Sequence, residues 1–260
     1  MINNSFIKIA VTAGIFLSSN IVHAEEKEWV SMFNGENLDG WVMKFSGYEL
    51  GVNYKDTFRA GNGIMSVNYD QYDTFKEEFG HIFYKEKYSN YNLSLEYRFV
   101  GDQVPDGPGW AYRNNGIMAH SQDPNSMTLD QDFPTSIEIQ LLGGAPTGER
   151  STGNMCSPGS HISMDGEVIT QHCINSNSKT FRGDQWVRID VEVRNSKVLR
   201  HKINGELVME YQDIQIDQSD ETIPMQIFKQ GTPLESGYIS LQAESHNTEF
   251  RNIMIQNLDE

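Results

Sequence analysis

The sequence predicts an all-β chain, a two-sheet antiparallel β-sandwich of jelly-roll form, on three observations. Apolar and polar residues alternate with period two in runs from end to end. An Asn204-Gly205 pair, the strongest short hairpin signal, joins two such runs. No long segment keeps helical periodicity, and the many short strands come with 22 glycines, the pattern of a sandwich rather than of an α/β fold.

The strands follow in order. Residues 92–99 place Leu93, Leu95, Tyr97 and Phe99 on one face and Glu96 and Arg98 on the other. Residues 136–142 alternate strictly: Ile137, Ile139 and Leu141 form an apolar floor, with Glu138 and Gln140 above it. Residues 187–193 repeat the pattern, leaving Arg188, Asp190 and Glu192 on the polar side. Residues 197–203 and 206–211 flank the Asn-Gly turn, and 238–243 and 249–255 complete the set. Three loops interrupt them, at 101–112, 121–135 and 143–160, and loops of this length on a rigid sandwich are where binding residues tend to sit.

Residues 1–24 read as a secretory signal: Lys8, a short apolar run over 9–17, then Val22-His23-Ala24 before Glu25. The run is too short for a membrane span, and no cysteine follows it to carry a lipid anchor. The expectation is therefore a periplasmic or secreted protein, cleaved after Ala24, with residues 25–260 forming a single domain. Without the leader's one lysine the net charge is 19 − 36 = −17. Such a surface disfavours nucleic acid and anionic membranes as partners. Asp130 and Asp132, or Asp102 and Asp106, are candidate calcium ligands whose spacing is not specific. Oligomeric state is not legible.

The two cysteines, Cys156 and Cys173, are expected to pair after export. Closing a loop of this size stabilises the fold by roughly 3 kcal/mol in the chain-entropy model.

Taken from strands expected to adjoin, Glu96, Arg98, Asn114, His120, Glu138 and Gln140 make an open polar face, with Trp110 and Tyr112 at its rim. Amides and carboxylates bond sugar hydroxyls, and aromatic faces cover sugar C–H patches. Glu96 and Arg98 read equally well as a surface ion pair. Two-carboxylate glycosidases of the laminarinase type carry Glu-x-Asp-x-x-Glu on one strand. Here the strand reads Glu138-Ile-Gln140-Leu-Leu-Gly143, so both later carboxylates are missing. His161 and His172 flank the proposed disulfide loop as candidate ligands or acid–base groups, or as ordinary hydrogen-bonded loop histidines; His81 and His246 lie elsewhere.

The run from Met32 through Phe-Asn-Gly-Glu-Asn-Leu-Asp-Gly to Trp41 resembles the opening of the 3-keto-disaccharide hydrolase domain family. Asn114-Asn-Gly-Ile117, Glu138-Ile-Gln-Leu-Leu142 and Gly183-Asp-Gln-Trp186 are similar to that family's middle motifs, in order. His201-Lys-Ile-Asn-Gly205, Gly237-Tyr-Ile-Ser-Leu-Gln242 and Phe250-Arg-Asn-Ile253 resemble its hairpin and closing strands, so the likeness spans about residues 29–258. The resemblance implies a concanavalin A-like sandwich that cleaves glycosides oxidised at C3 of a sugar ring. A 3-keto group acidifies the C2 proton, so one base, one acid and an electrophile beside the ketone suffice. On this reading Glu138 is the candidate base or metal ligand and His120 the candidate acid. Arg98, Asn114 and Gln140 polarise the ketone and hold hydroxyls, and a divalent cation on Glu138 and a histidine is compatible with the chemistry. The alternative is a non-catalytic carbohydrate-binding sandwich that relies on Trp110 and Tyr112. The chain departs from the motif at His120, where many members carry Arg, at Gln242-Ala-Glu244, where a His-Gly pair is common, and in its cysteine loop.

Overall fold

The computed structural model describes Met1 and residues 27–220 and 229–259. The signal-like segment 1–24 lies outside the described residues apart from Met1. Among the described residues the chain is all-β, with two antiparallel sheets packed face to face and not closed into a barrel.

The larger sheet has ten strands. Across it run Glu167–Ile169, Ser160–Met164, Glu206–Ile216, Val198–Ile203, Val187–Arg194, Asn90–Gln103, His246–Asn257, Ile64–Val67 and Phe58–Gly61, with Val30–Ser31 added beside His246–Asn257. The smaller sheet has seven, in the order Cys173–Ile174, Asn154–Cys156, Ile137–Leu142, Asn114–Ser121, Gly237–Ala243, Gly80–Tyr88 and Trp41–Phe45. The core lies between them. Leu93, Leu95, Tyr97 and Phe99 face Ile137, Ile139 and Leu141 across the sandwich, all buried. Each such aliphatic side chain contributes about 1.5–3 kcal/mol on burial. The Asn204-Gly205 hairpin forms as read, with both residues at positive φ (49° and 86°), the geometry of a type I′ turn.

Alternation along Asn90–Gln103 also places Glu96 and Arg98, and this departs from the sequence expectation. They sit on the outer face of the larger sheet, away from the face that carries Glu138. Glu96 accepts from Arg251 (2.9 Å) and Asn252 (2.6 Å), and Arg98 donates to Glu249 (2.7 Å). Trp186 lies between the two guanidinium groups, 4.6 Å from Arg98 and 4.1 Å from Arg251. Their role is the surface ion pairing that the sequence left open.

His120 departs for a different reason. It has φ of +49°, and the pairing of Gly237–Ala243 with Asn114–Ser121 shifts register there, from Ser240 opposite Met118 to Tyr238 opposite Ser121. This bulge reverses the side-chain parity. The ring turns into the core, where its Nε2 meets the Asn195 carbonyl at 3.0 Å and its face meets Tyr91. Burial pushes the imidazole down to about 4.

Cys156 and Cys173 are bonded, as register partners with Cα atoms 4.1 Å apart. The expected loop 143–160 contains the strand Asn154–Cys156, which adds to Ile137–Leu142 and carries the disulfide to the edge of the polar face.

Candidate active site

The outer face of the smaller sheet carries one row of polar residues. Register pairs Asn154 with Gln140, Gln140 with Gly116, Gln242 with His81, and His81 with Lys44. At the centre of this row Gly116 has no side chain. A Cβ there would lie 2.3 Å from Gln242 Oε1 and 2.7 Å from Glu138 Cγ. The carboxyl and the amide can therefore meet only over bare backbone, which is what this glycine provides.

Glu138 rises from Ile137–Leu142 into a cleft of about 620 Å³, within the roughly 300–1,000 Å³ typical of small-molecule sites. Asn114, Gln140 and Trp110 line the same cleft. So does Glu244, one residue beyond the strand Gly237–Ala243. Glu138 is 6% exposed and Glu244 3%. Burial pushes the Glu138 carboxyl up to about 8. Burial and then the Glu138 charge hold Glu244 well above the usual carboxylate range, with Arg150 acting the other way. Two carboxyls in one desolvated site resist being charged together, so the charge on one raises the other.

Several polar atoms of this face are unpaired. Glu138 Oε1, Glu244 Oε2, Asn114 Oδ1, both Gln242 amide atoms and both His81 nitrogens have no hydrogen-bond partner among the described residues. Buried polar groups are ordinarily satisfied, which makes these atoms candidates for contact with a ligand. Gln140 is fixed instead, accepting from Asn154 Nδ2 at 3.1 Å. His81 stays neutral: burial, then the nearby Lys44 ammonium, pushes it down to about 3. Lys44 donates to the Phe45 and Leu129 carbonyls at 2.7 and 2.8 Å.

Aromatic side chains close one side. Trp110, 53% exposed, stacks on Phe79 at 5.7 Å, and Phe79 packs on Phe133, which reaches the His81 ring. Arg150 ties the Trp110 segment to the sheet by donating to the Trp110, Tyr112 and Gly143 carbonyls. Tyr112 stands behind this wall with its ring against His246 rather than on the cleft surface. The opposite side is built by the disulfide and the segments around it, including His161, His172 and Asp217.

The structure thus gathers Glu138, Asn114, Gln140 and Trp110 of the residues proposed from sequence. It sets Tyr112 behind them and places His120, Arg98 and Glu96 elsewhere. Glu244, Gln242 and His81 are members of the face that the sequence reading misses. The period-two run at 238–243 carries the signal, since its polar parity continues through Ser240 and Gln242 to Glu244. Among the described residues no three His, Cys, Asp or Glu side chains converge as metal ligands.

Two solved structures from Parabacteroides distasonis ATCC 8503, each named "putative glycosyl hydrolase", share the fold. One is 18% identical, with a TM-score of 0.53, and the match covers 92% of this chain and 99% of that one. The other is 20% identical, with a TM-score of 0.50, covering 89% and 100%. No curated protein matches the sequence. Among the described residues no helix is long and apolar enough to cross a membrane. The family model of the 3-keto-alpha-glucoside-1,2-lyase-like domain matches residues 28–256, and the chain belongs to that family.

Proposed function

We propose that this chain is an exported enzyme that cleaves the glycosidic bond of 3-keto-glycosides by elimination at C1–C2 followed by hydration. The observation that carries this reading is the two buried carboxyls, Glu138 and Glu244, that line one cleft, with Glu138 pushed up to about 8 and Glu244 held well above the usual carboxylate range. A general base works best with a pKa near the operating pH, and Glu138 is raised toward that range. Glu138 removes the C2 proton. Glu244, held neutral, donates a hydrogen bond to the C3 oxygen as it gains charge, the use to which buried protonated carboxyls are suited. Asn114, Gln140 and Gln242 hold ring hydroxyls, and Trp110 covers a sugar face. The Cys156–Cys173 disulfide fits an oxidising compartment, in line with export.

A non-catalytic carbohydrate-binding role is the second reading, favoured by the exposed Trp110 ring at the cleft mouth. Incubation with 3-keto-glucosides and their unoxidised parents, followed by product mass analysis, separates the two. Cleavage of the 3-keto compounds alone is expected. Binding of either sugar without turnover supports the second reading, and cleavage of the unoxidised parents alone overturns the substrate class.

A further inference from the structure

Facing the same cleft as Glu138 is a histidine held by a carboxylate. His161 Nε2 lies 3.0 Å from Asp217 Oδ2, and both side chains are largely buried, at 12% and 11% exposure. Asp217 is itself fixed. Its Oδ1 accepts from the Ser219 amide (2.8 Å) and hydroxyl (2.7 Å), and its own amide donates to the Gly159 carbonyl (3.0 Å). His161 stands on Ser160–Met164, which pairs with Glu206–Ile216, the strand that ends at Asp217. The pair is therefore held at two adjacent strand ends rather than on a free loop. With Nε2 turned to Asp217, Nδ1 is the ring nitrogen left to exchange a proton with a ligand. This is the geometry by which a carboxylate sets an imidazole's tautomer and orientation.

We propose that His161, oriented by Asp217, is the proton donor to the leaving-group oxygen and then the base that activates water. This rests on the elimination–hydration function proposed for the cleft, and it adds the acid that the buried position of His120 leaves unassigned. Glu138 takes the C2 proton, and the C2–H electron pair forms the enolate, with its charge on the C3 oxygen beside Glu244. The C1–O bond then breaks with its electron pair leaving on oxygen, which takes the proton from His161. The enolate electrons form C1=C2 and restore the C3 ketone. Once the leaving group has departed, the proton on Glu138 exchanges with solvent; in hydration, His161 takes a proton from water, the hydroxyl adds to C1, and Glu138 delivers a solvent-derived proton to C2. Substrate and water give 3-keto-sugar and alcohol, with every side chain in its starting state. His161 acts here as a catalytic residue and Asp217 as a positioning residue.

The test compares leaving groups. Purified His161→Gln and Asp217→Asn proteins are assayed on an alkyl 3-keto-glucoside, whose alkoxide needs a proton to leave, and on the 4-nitrophenyl analogue, whose phenolate does not. With His161→Gln, the alkyl substrate is expected to slow by about 10²–10⁴-fold, the range typical of general acids, and the aryl substrate by far less. Asp217→Asn is expected to show the same leaving-group dependence with a smaller loss. It carries the comparison if His161→Gln does not fold. Equal losses on both substrates would overturn the assignment and mark the pair as structural. A wild-type protein inert toward both 3-keto substrates would overturn the proposed function first and this assignment with it.

Discussion

Glu138 and Glu244 line one cleft as two buried carboxyls, Glu138 from a strand that pairs with Asn114–Ser121 and Glu244 from the residue just past another that does. Along the strand Ile137–Leu142 alone, the chain lacks the second carboxyl of a two-carboxylate site. In space it has one, supplied by a strand about a hundred residues further along. Burial raises both carboxyls, Glu138 to about 8, and the Glu138 charge raises Glu244 further. A base and a neutral hydrogen-bond donor in one site suit a substrate that brings its own ketone.

The first consequence is a pH profile. The rate should rise with pH along a limb centred near 8, because Glu138 must lose its proton before it can accept one. A log kcat/KM plot of wild type between pH 5 and 10 checks this. Glu138→Gln should lose about 10²–10⁴-fold in activity across the range, as expected for removal of a general base. An acid limb that stays near the usual carboxylate range would count against the assignment.

Glu244→Gln separates the partners. With Glu244 already neutral where Glu138 ionises, a neutral amide in its place should leave the Glu138 limb where it is while some turnover survives. A limb that moves to lower pH would mean that Glu244 carries charge where Glu138 titrates.

Gly116→Ala probes the meeting point directly. The added methyl would fall 2.3 Å from Gln242 Oε1 and 2.8 Å from Glu138 Oε1, and so would push both from the cleft floor. Activity should fall by more than about tenfold, and overpacking should cost about 1–3 kcal/mol of stability. Chemical denaturation together with steady-state kinetics reads both effects.

Stability carries the same signature. Glu138 has a folded-state pKa above its unfolded value, so its neutral form favours the native state. That contribution is complete below about pH 4.5 and is lost as pH rises toward 8. Wild type should therefore lose up to about 1.4 kcal/mol per pH unit through this one group across that window. Glu138→Gln should flatten this part of the curve, as followed by urea unfolding at a series of pH values.

Replacing both Cys156 and Cys173 with serine should lower stability by roughly 3 kcal/mol, the value for a loop of this size. Since both cysteines line the cleft, KM should rise with it.

Much of the sandwich is legible in the sequence because period-two alternation is a direct image of a strand with one buried face. The same rule makes Glu138 readable above Ile137 and Ile139. It does not say to which sheet a polar face belongs, and so it groups Glu96 and Arg98 with Glu138 although they sit across the sandwich. It also fails at a bulge. His120 shares parity with Asn114, yet one residue at positive φ turns it into the core. Glu244 is within reach of the pattern but lies just past the apolar run. The Asp217–His161 contact leaves no local trace, because two distant segments make it through sheet pairing.

The central claim is that Glu138 takes the C2 proton of a 3-keto-glycoside. Turnover in deuterium oxide tests it most directly, with mass and proton spectra of the 3-keto-sugar product corrected for its own slow exchange. Elimination and hydration predict one solvent deuteron at C2 in each product molecule, with both its appearance and cleavage lost in Glu138→Gln. A product cleaved at the normal rate with its original hydrogen at C2 would contradict it.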